Sequence, residues 1–106
     1  MDTDIWGNLR GEPVKIIDEN HEDNFIKIMV YKAGDLYTYG FQLKVGTIVQ
    51  QKAANINNPM FESENTARVK ASLEIENICA KNRNSRKFFL GFTHIQYSGY
   101  SLFDDI

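Results

Sequence analysis

The amino-acid sequence predicts an α+β fold, with an antiparallel β-sheet in the amino-terminal half covered by one long and one short carboxyl-terminal helix. Apolar and polar residues alternate through residues 25–45, which is typical of strands with one buried face. Small and apolar residues then recur at helical spacing through residues 64–81, and again more briefly through residues 85–95. Strands that precede the helices, rather than alternating with them, favour the α+β class.

The length of the chain predicts a single ligand-binding domain, residues 1–106. One core suits this size, with residues 1–13 as an amino-terminal arm and residues 97–106 as a carboxyl-terminal tail. The hydrophobic fraction of 42% and the charged fraction of 25% are ordinary for a globular protein. The composition therefore argues against a disordered chain.

Charge and cysteine content limit the expected partners. A net charge of -2 gives no broad positive field, so we expect no duplex nucleic acid partner, whereas a small nucleotide stays compatible. The lone Cys79 cannot form an internal disulfide, and no apolar run reaches the roughly 18 residues of a membrane span. Because Met1–Asp4 lacks the layout of a signal peptide, we expect a cytoplasmic protein with no membrane partner.

The arm carries the single tryptophan of the chain, Trp6. Its large apolar ring is costly to leave in water. Two interpretations stay open at this point. Either the ring packs on the protein's own sheet, or it acts as a stacking lid over a base or as a contact with a second subunit.

Four β-type runs precede the helices. They are Val14–Asp18, Phe25–Tyr31, Leu36–Val45 and Thr47–Gln50, and a polar, turn-rich segment spans residues 19–24. After a bend or bulge at Gly46, the last run either continues as a strand or departs from the sheet. Alternation within the second and third runs puts their apolar side chains on one face of the sheet. We therefore expect an antiparallel sheet with one covered face.

Residues 51–60 are rich in asparagine and contain Pro59, so they predict a loop. This loop is either a simple crossover from sheet to helix or a functional segment. In the second case Asn58 is a candidate ligand contact. Ser63 follows as the predicted N-cap of the long helix.

A helical wheel of residues 64–81 predicts one buried stripe and one solvent face. The predicted stripe comprises Ala67, Ala71, Ile75, Ile78 and Cys79. The predicted solvent face comprises Lys70, Glu74, Asn77 and Lys81. A second, narrower apolar patch comprises Val69, Leu73 and Ala80. That patch requires a second neighbour, either the next element of the same chain or a partner subunit.

Three arginines are candidate phosphate contacts. Arg68 lies at the border of the buried stripe, near a helix start whose dipole favours anions. It either reaches a carboxylate such as that of Glu64 or helps to hold a phosphate. Arg83 and Arg86 belong to a basic segment that is either solvated or a phosphate-facing rim. A short second helix is predicted over residues 85–95, with Ser85 as its possible cap, and a strand, favoured by Gly91, Thr93 and the aromatic residues, is the alternative.

Catalytic candidates are weak in this sequence. His21 and His94 lie far apart, and neither has a Cys, Asp or Glu at metal-ligand spacing. There is no phosphate-binding glycine-rich loop and no nucleophile elbow. We therefore expect no enzyme, no metal and no cofactor. Aromatic rings, scattered cations and a helix start instead suit the binding of a small anionic nucleotide.

The layout of residues 25–95 resembles the phage-encoded Thoeris anti-defence proteins of the first type. The residues that carry the resemblance are the tyrosine-rich strand Leu36–Gly40, the asparagine-rich loop, the helix start Phe61–Ser63, Ala67, Arg68 and Ala71. The resemblance implies a non-catalytic sponge for cyclic ADP-ribose isomers made by TIR-domain immune enzymes. Some members also trap the cyclic oligonucleotides of CBASS defence. It further implies a homo-oligomer, either a dimer or a hexamer.

The resemblance also implies roles for particular residues. A base is expected to stack on an aromatic such as Trp6 or Phe61, and a pyrophosphate to meet arginines across a subunit boundary. The full set of predicted ligand-binding residues is Trp6, Tyr39, Asn58, Phe61, Arg68, Arg83 and Arg86.

The alternative function is a phage or plasmid protein interaction module that docks on a replication or defence protein through its tail or a helix. The tail contains Leu102 and Phe103, a pair similar to that of short peptides that dock on bacterial sliding clamps. The glutamine expected ahead of such a pair is missing. A tail that folds back on the core or on a neighbouring subunit is the other possibility.

Overall fold

A computed structural model describes residues 3–92 and residue 95. The elements are β1 (Lys15–His21), β2 (Asn24–Ala33), β3 (Leu36–Val45), β4 (Ile48–Lys52), α1 (Glu64–Ala80) and α2 (Arg83–Phe89). The strands form one antiparallel sheet in the order β1-β2-β3-β4. The predicted α+β fold is therefore confirmed. Within the described part of the chain, neither helix is long and apolar enough to span a membrane.

Tight turns join successive strands. Gly34 (φ 65°) and Gly46 (φ 62°) supply left-handed conformations at the second and third turns, and Glu22 (φ 56°) supplies one at the first. At Gly46 a side chain is excluded for a second reason, because a Cβ atom would lie 2.8 Å from the Oγ atom of Ser85.

Strand β1 is longer than the sequence predicts. The predicted run ended at Asp18, whereas the strand continues to His21, and the turn is confined to the residues that follow it. Asn20 pairs with Phe25 and His21 with Asn24, so these polar residues complete the hairpin ladder. Pairing with β2 thus overrides the low strand propensity of this segment.

The core lies between one face of the sheet and α1. Helix α1 begins where the Oγ atom of Ser63 accepts a hydrogen bond from the Thr66 amide at 3.0 Å, as predicted. Ile78 of the predicted stripe is partly buried. Small side chains on the helix let it approach the sheet closely. The remaining stripe residues are fully buried, and they are Ala67, Ala71, Ile75 and Cys79.

The short helix α2 closes one end of the core. Its N-cap is Asn82, whose Oδ1 atom accepts from the Asn84 and Ser85 amides at 3.0 and 3.1 Å. The prediction of Ser85 as the cap is therefore wrong. Ser85 lies one turn further on, is fully buried, and donates a hydrogen bond to the Val45 carbonyl at 2.8 Å. This bond ties α2 to the end of β3 that precedes Gly46.

The second neighbour of α1 comes from the same chain. Helix α2 packs against α1, and the Ser72 hydroxyl donates to the Ile95 carbonyl at 2.5 Å. Val69 of the second patch is buried, but Ala80 is exposed. His94 and the tail, with its Leu102 and Phe103, lie outside the described residues.

Candidate functional site

The sheet face opposite α1 carries aromatic, amide and cationic side chains. Strand pleating and register place these side chains on the same face: Phe25, Lys27, Met29 and Tyr31 of β2, Thr38, Gly40, Gln42 and Lys44 of β3, and Val49 and Gln51 of β4. We call this surface the open face. Its polar members Gln42, Lys44 and Gln51 are exposed.

A loop crosses one end of the open face, directly over Gly40. A Cβ atom on Gly40 would lie 2.6 Å from the Lys52 carbonyl oxygen and 2.8 Å from the Ala54 nitrogen, so only glycine leaves room for the loop. The Thr38 hydroxyl donates to the Pro59 carbonyl at 3.1 Å and holds the far end of the loop. The predicted loop is confirmed over residues 53–60, whereas residues 51 and 52 belong to β4.

The amino-terminal arm lies beside this loop. The Leu9 amide donates to the Ala54 carbonyl at 2.9 Å, and the Ile56 amide donates to the Gly7 carbonyl at 3.0 Å. The arm is therefore hydrogen-bonded to a segment more than forty residues away in sequence.

The arm, the loop and the sheet enclose a cavity of about 250 Å³. We call it the arm groove, and its lining includes Leu9, Met29, Tyr31, Gln42 and Gln51. It is smaller than the roughly 300–1,000 Å³ of ordinary ligand pockets, so it suits one ring system rather than a whole nucleotide.

A second cavity lies across the Gln42 and Gln51 pair. We call it the edge hollow, and its volume is about 240 Å³. Phe25 and Val49 line it, and Val49 is 72% exposed. The two glutamines line both cavities, so the two sites share one polar wall.

On the opposite face of the sheet, Tyr39 belongs to a polar cluster at the edge of the core. Its hydroxyl donates to the Oε1 atom of Glu74, and the Lys52 Nζ atom lies 2.9 Å from the same oxygen. Burial, followed by the Glu74 carboxylate, raises the pKa of Tyr39 well above its ordinary value. Glu74 keeps 35% of its side chain exposed, but helical periodicity did not predict that it contacts Tyr39 and Lys52 on the sheet.

Tyr39 and Phe61 of the predicted set lie together. Their rings stack at a centroid distance of 6.2 Å, the Phe41 ring stacks on Tyr39 at 6.4 Å, and the Lys52 Nζ atom lies 4.9 Å from the Tyr39 ring centroid. Tyr39 is only 8% exposed. Tyr39 is therefore part of the core and Phe61 packs against it, so little ring surface is left to stack on a nucleotide base.

The predicted arginines lie on the helical layer, away from the arm groove. The Nε and Nη2 atoms of Arg68 each lie 3.4 Å from the Oδ1 atom of Asn65, so its near partner is this amide rather than Glu64. Arg83 and Arg86 are exposed on α2, beyond the other end of α1. At about 1.5 Å per residue, α1 separates them from Arg68 by roughly 20 Å. One chain does not bring the three together.

The remaining two predicted residues lie on the arm and the loop. Trp6 is 72% exposed, so the interpretation in which its ring packs on the protein's own sheet is wrong. The physical reason is a hydrogen-bonded turn around Trp6, in which the Asp4 carboxylate accepts from the Trp6 amide and the ring is held outward. The Asn58 side chain donates to the Ala53 carbonyl at 3.2 Å and shapes the loop from within.

Sequence reasoning missed the residues of the arm groove. Gln42 was visible as a polar member of an alternating strand, and Gln51 was included in the loop. The signal that joins them is the register of β3 and β4, which makes them cross-strand partners. That register follows from the tight turn at Gly46 and is not apparent from composition.

The His, Cys, Asp and Glu side chains of the described residues are the groups to consider for catalysis or metal binding. Within residues 3–92 and 95, no group of three or more His, Cys, Asp or Glu side chains is arranged to hold a metal ion. Cys79 is buried, and burial raises the pKa of its thiol to about 11. The exposed His21 ring meets the Phe92 ring edge-on at 5.9 Å.

Comparisons with protein-family models, with curated proteins and with solved structures gave no match. The resemblance to the Thoeris anti-defence proteins therefore stays a prediction from the residues that carry it.

Proposed function

We propose that this chain is a non-catalytic binding protein that sequesters a small cyclic nucleotide, with one base seated in the arm groove. The observation that carries the proposal is the pair of glutamine amides, Gln42 and Gln51, between two ring-sized cavities on an open sheet face.

The glutamine pair supplies the recognition of a base edge. Each amide offers two donor hydrogens and an acceptor oxygen, and the two side chains stand side by side on neighbouring strands. Glutamine amides pair with the donor and acceptor edge of adenine in this way. Tyr31 and Met29 flank the amides in the groove, where an aromatic ring and a thioether pack on the face of a base.

Two lysines supply charge for the phosphates. Lys27 is the cross-strand partner of Gln42, and Lys44 stands on the same face in the next row. Both lie outside the cavity, which leaves the sugar and phosphates at the protein surface while the base is enclosed. Arg68, Arg83 and Arg86 stay predicted phosphate contacts, and because they lie on the helical layer their use requires a second subunit in a homo-oligomer.

The lining of the groove favours retention over chemistry. Its described lining residues are apolar or carry amides, except for the Tyr31 phenol and for Lys52, whose amine lies on the other face of the sheet and is paired with Glu74. No carboxylate, imidazole or thiol lies among these lining residues to act on a bound ligand.

The resemblance supplies the ligand class and the biological role. On that basis the ligand is a cyclic ADP-ribose isomer, or also a cyclic oligonucleotide, and its capture blocks bacterial anti-phage defence. The protein then acts in the cytoplasm of the host cell, where a phage-encoded sponge meets the signal.

The test is retention followed by release. The pure protein is incubated with cyclic ADP-ribose isomers, cyclic dinucleotides and cyclic trinucleotides, freed of unbound ligand, heated and analysed by chromatography. We expect one ligand class to be retained and released unchanged. Recovery of an altered product contradicts the non-catalytic part of the proposal, and retention of none of the panel contradicts the binding itself.

A further inference from the structure

We infer that the Ile5–Trp6 turn of one copy of this chain docks into the edge hollow of a second copy. We call this turn the hook. This protein contact does not rest on the proposed function, although the edge hollow shares Gln42 and Gln51 with the arm groove.

The hook consists of two exposed apolar side chains on a hydrogen-bonded turn. Ile5 is 87% and Trp6 72% exposed. The Asp4 carboxylate accepts from the Trp6 and Asn8 amides, both at 2.9 Å, and Gly7 closes the turn with φ 87°. Exposed apolar surface costs roughly 25 cal/mol per Å², so a turn that holds this much of it outward favours a partner.

The loop adds a second set of restraints to the hook. The Asn55 side chain donates to the Trp6 carbonyl at 3.0 Å and to the Asn8 Oδ1 atom at 2.8 Å. Backbone hydrogen bonds from Leu9 to Ala54 and from Ile56 to Gly7 also join the arm to the loop. The hook is therefore pre-ordered, and docking it costs little conformational entropy.

The edge hollow has the size and chemistry to accept an indole ring. Its 240 Å³ is small for a metabolite, and Phe25 and Val49 give it apolar walls. Lys44 stands between these two residues in the sheet register, on the same face. A lysine ammonium beside an indole ring adds a cation–π attraction, which is strongest for tryptophan.

A second copy is the occupant that these features favour. Each chain carries both a hook and a hollow, so one twofold axis satisfies two hooks and two hollows at once. The hook itself is uncharged, and the net charge of -2 gives only weak repulsion between copies. An anionic membrane surface, the other common site for an exposed tryptophan, gains little from a chain of this charge.

The single tryptophan makes the docking directly observable. The molar mass of the full chain and its Trp6 emission are measured over a concentration series without nucleotide. We expect self-association, with a blue shift of the emission over the same concentration range. Trp6→Ala and Val49→Lys should each weaken self-association at least about 30-fold, because each removes a hot-spot residue from both of the symmetry-related interfaces. Leu90→Ala removes another exposed apolar side chain, on the helical layer, and is the control that should leave self-association unchanged.

Mixing the two variants distinguishes a broken interface from a misfolded protein. Val49→Lys keeps its hook, and Trp6→Ala keeps its hollow, so one of the two hook–hollow interfaces re-forms in the mixture. We expect the emission of Val49→Lys, the sole source of tryptophan fluorescence there, to shift to the blue when Trp6→Ala is added. The inference is overturned if the wild type stays monomeric at all concentrations, or if its Trp6 emission does not change when it associates. It is also overturned if the mixture of the two variants shows no blue shift.

Discussion

The side-chain amide of Asn55 donates a hydrogen bond to the backbone carbonyl of Trp6 at 3.0 Å and joins the amino-terminal arm to the loop after β4. The same amide group also reaches the Asn8 Oδ1 atom. One side chain therefore holds together the hook and the wall of the arm groove.

Replacing this side chain should release the arm. Asn55→Ala removes both bonds and the one that the Asn55 Oδ1 atom accepts from the Asn57 amide, and it leaves the partly buried Asn8 Oδ1 atom without this donor, so we expect a loss of about 1–3 kcal/mol in the free energy of unfolding. Urea unfolding measures the loss, and limited proteolysis should show faster cleavage within residues 3–13. Asn57→Ala, at an exposed neighbouring site, is the matched control. Equal behaviour of the two variants would contradict the role of Asn55.

Gly40 should not tolerate a side chain. Gly40→Ala places a Cβ atom 2.6 Å from the Lys52 carbonyl oxygen, which belongs to backbone and cannot simply rotate away. We expect the free energy of unfolding to fall by about 1–3 kcal/mol, the usual cost of overpacking, and the loop to pack less closely on the open face. Gly11→Ala, with open space around it, is the control. A thermal unfolding midpoint unchanged by Gly40→Ala would show that the loop moves freely.

Alkaline pH should act through Tyr39. Its pKa is raised in the folded state, so its contribution to stability is present below the unfolded pKa of about 10 and is lost as the pH rises above that value. Tyr39→Phe keeps the ring stacking but removes the hydrogen bond to Glu74, at a cost of about 1 kcal/mol near neutral pH. Urea midpoints at pH 8 and pH 11 should fall less for Tyr39→Phe than for wild type. An identical fall would leave Tyr39 without a role in the pH dependence.

Acid should loosen the hook through Asp4. Desolvation by itself raises the pKa of this carboxyl group, but hydrogen bonds from the Asn8 and Trp6 amides outweigh it, and the net pKa is lowered. The turn is therefore supported above the ordinary value of about 3.9 and loses that support as the pH falls through the folded pKa. Trp6 emission should change below pH 4, and Asp4→Asn should flatten that change. Emission that is constant to pH 2 would contradict this assignment.

Local pattern was sufficient for the third strand and the start of the long helix. Strict alternation gave the bounds of β3, Leu36–Val45, without error, and the serine before an apolar repeat gave the N-cap of α1. These features depend on a few neighbouring residues, so one sequence contains them.

Features that depend on partners distant in sequence could not be predicted in this way. The pairing of Gln42 with Gln51 requires the register of two strands, and the partly buried place of Glu74 requires Tyr39 and Lys52 on the sheet. The exposure of Trp6 likewise follows from the hydrogen bonds that its turn makes with Asp4 and Asn55. Hydrophobicity alone pointed the other way, because a single large apolar ring is usually buried.

We propose that the glutamine pair on the open face binds a nucleotide base. Gln51 and Gln50 are neighbours of the same type on β4, but pleating points them to opposite faces of the sheet. Equilibrium binding of the cyclic nucleotide retained in the panel is compared for Gln51→Ala, Gln50→Ala and wild type. We expect at least about tenfold weaker binding for Gln51→Ala, because it loses one or more good hydrogen bonds, and unchanged binding for Gln50→Ala. Equal affinity for all three proteins, or weaker binding for Gln50→Ala alone, would contradict it.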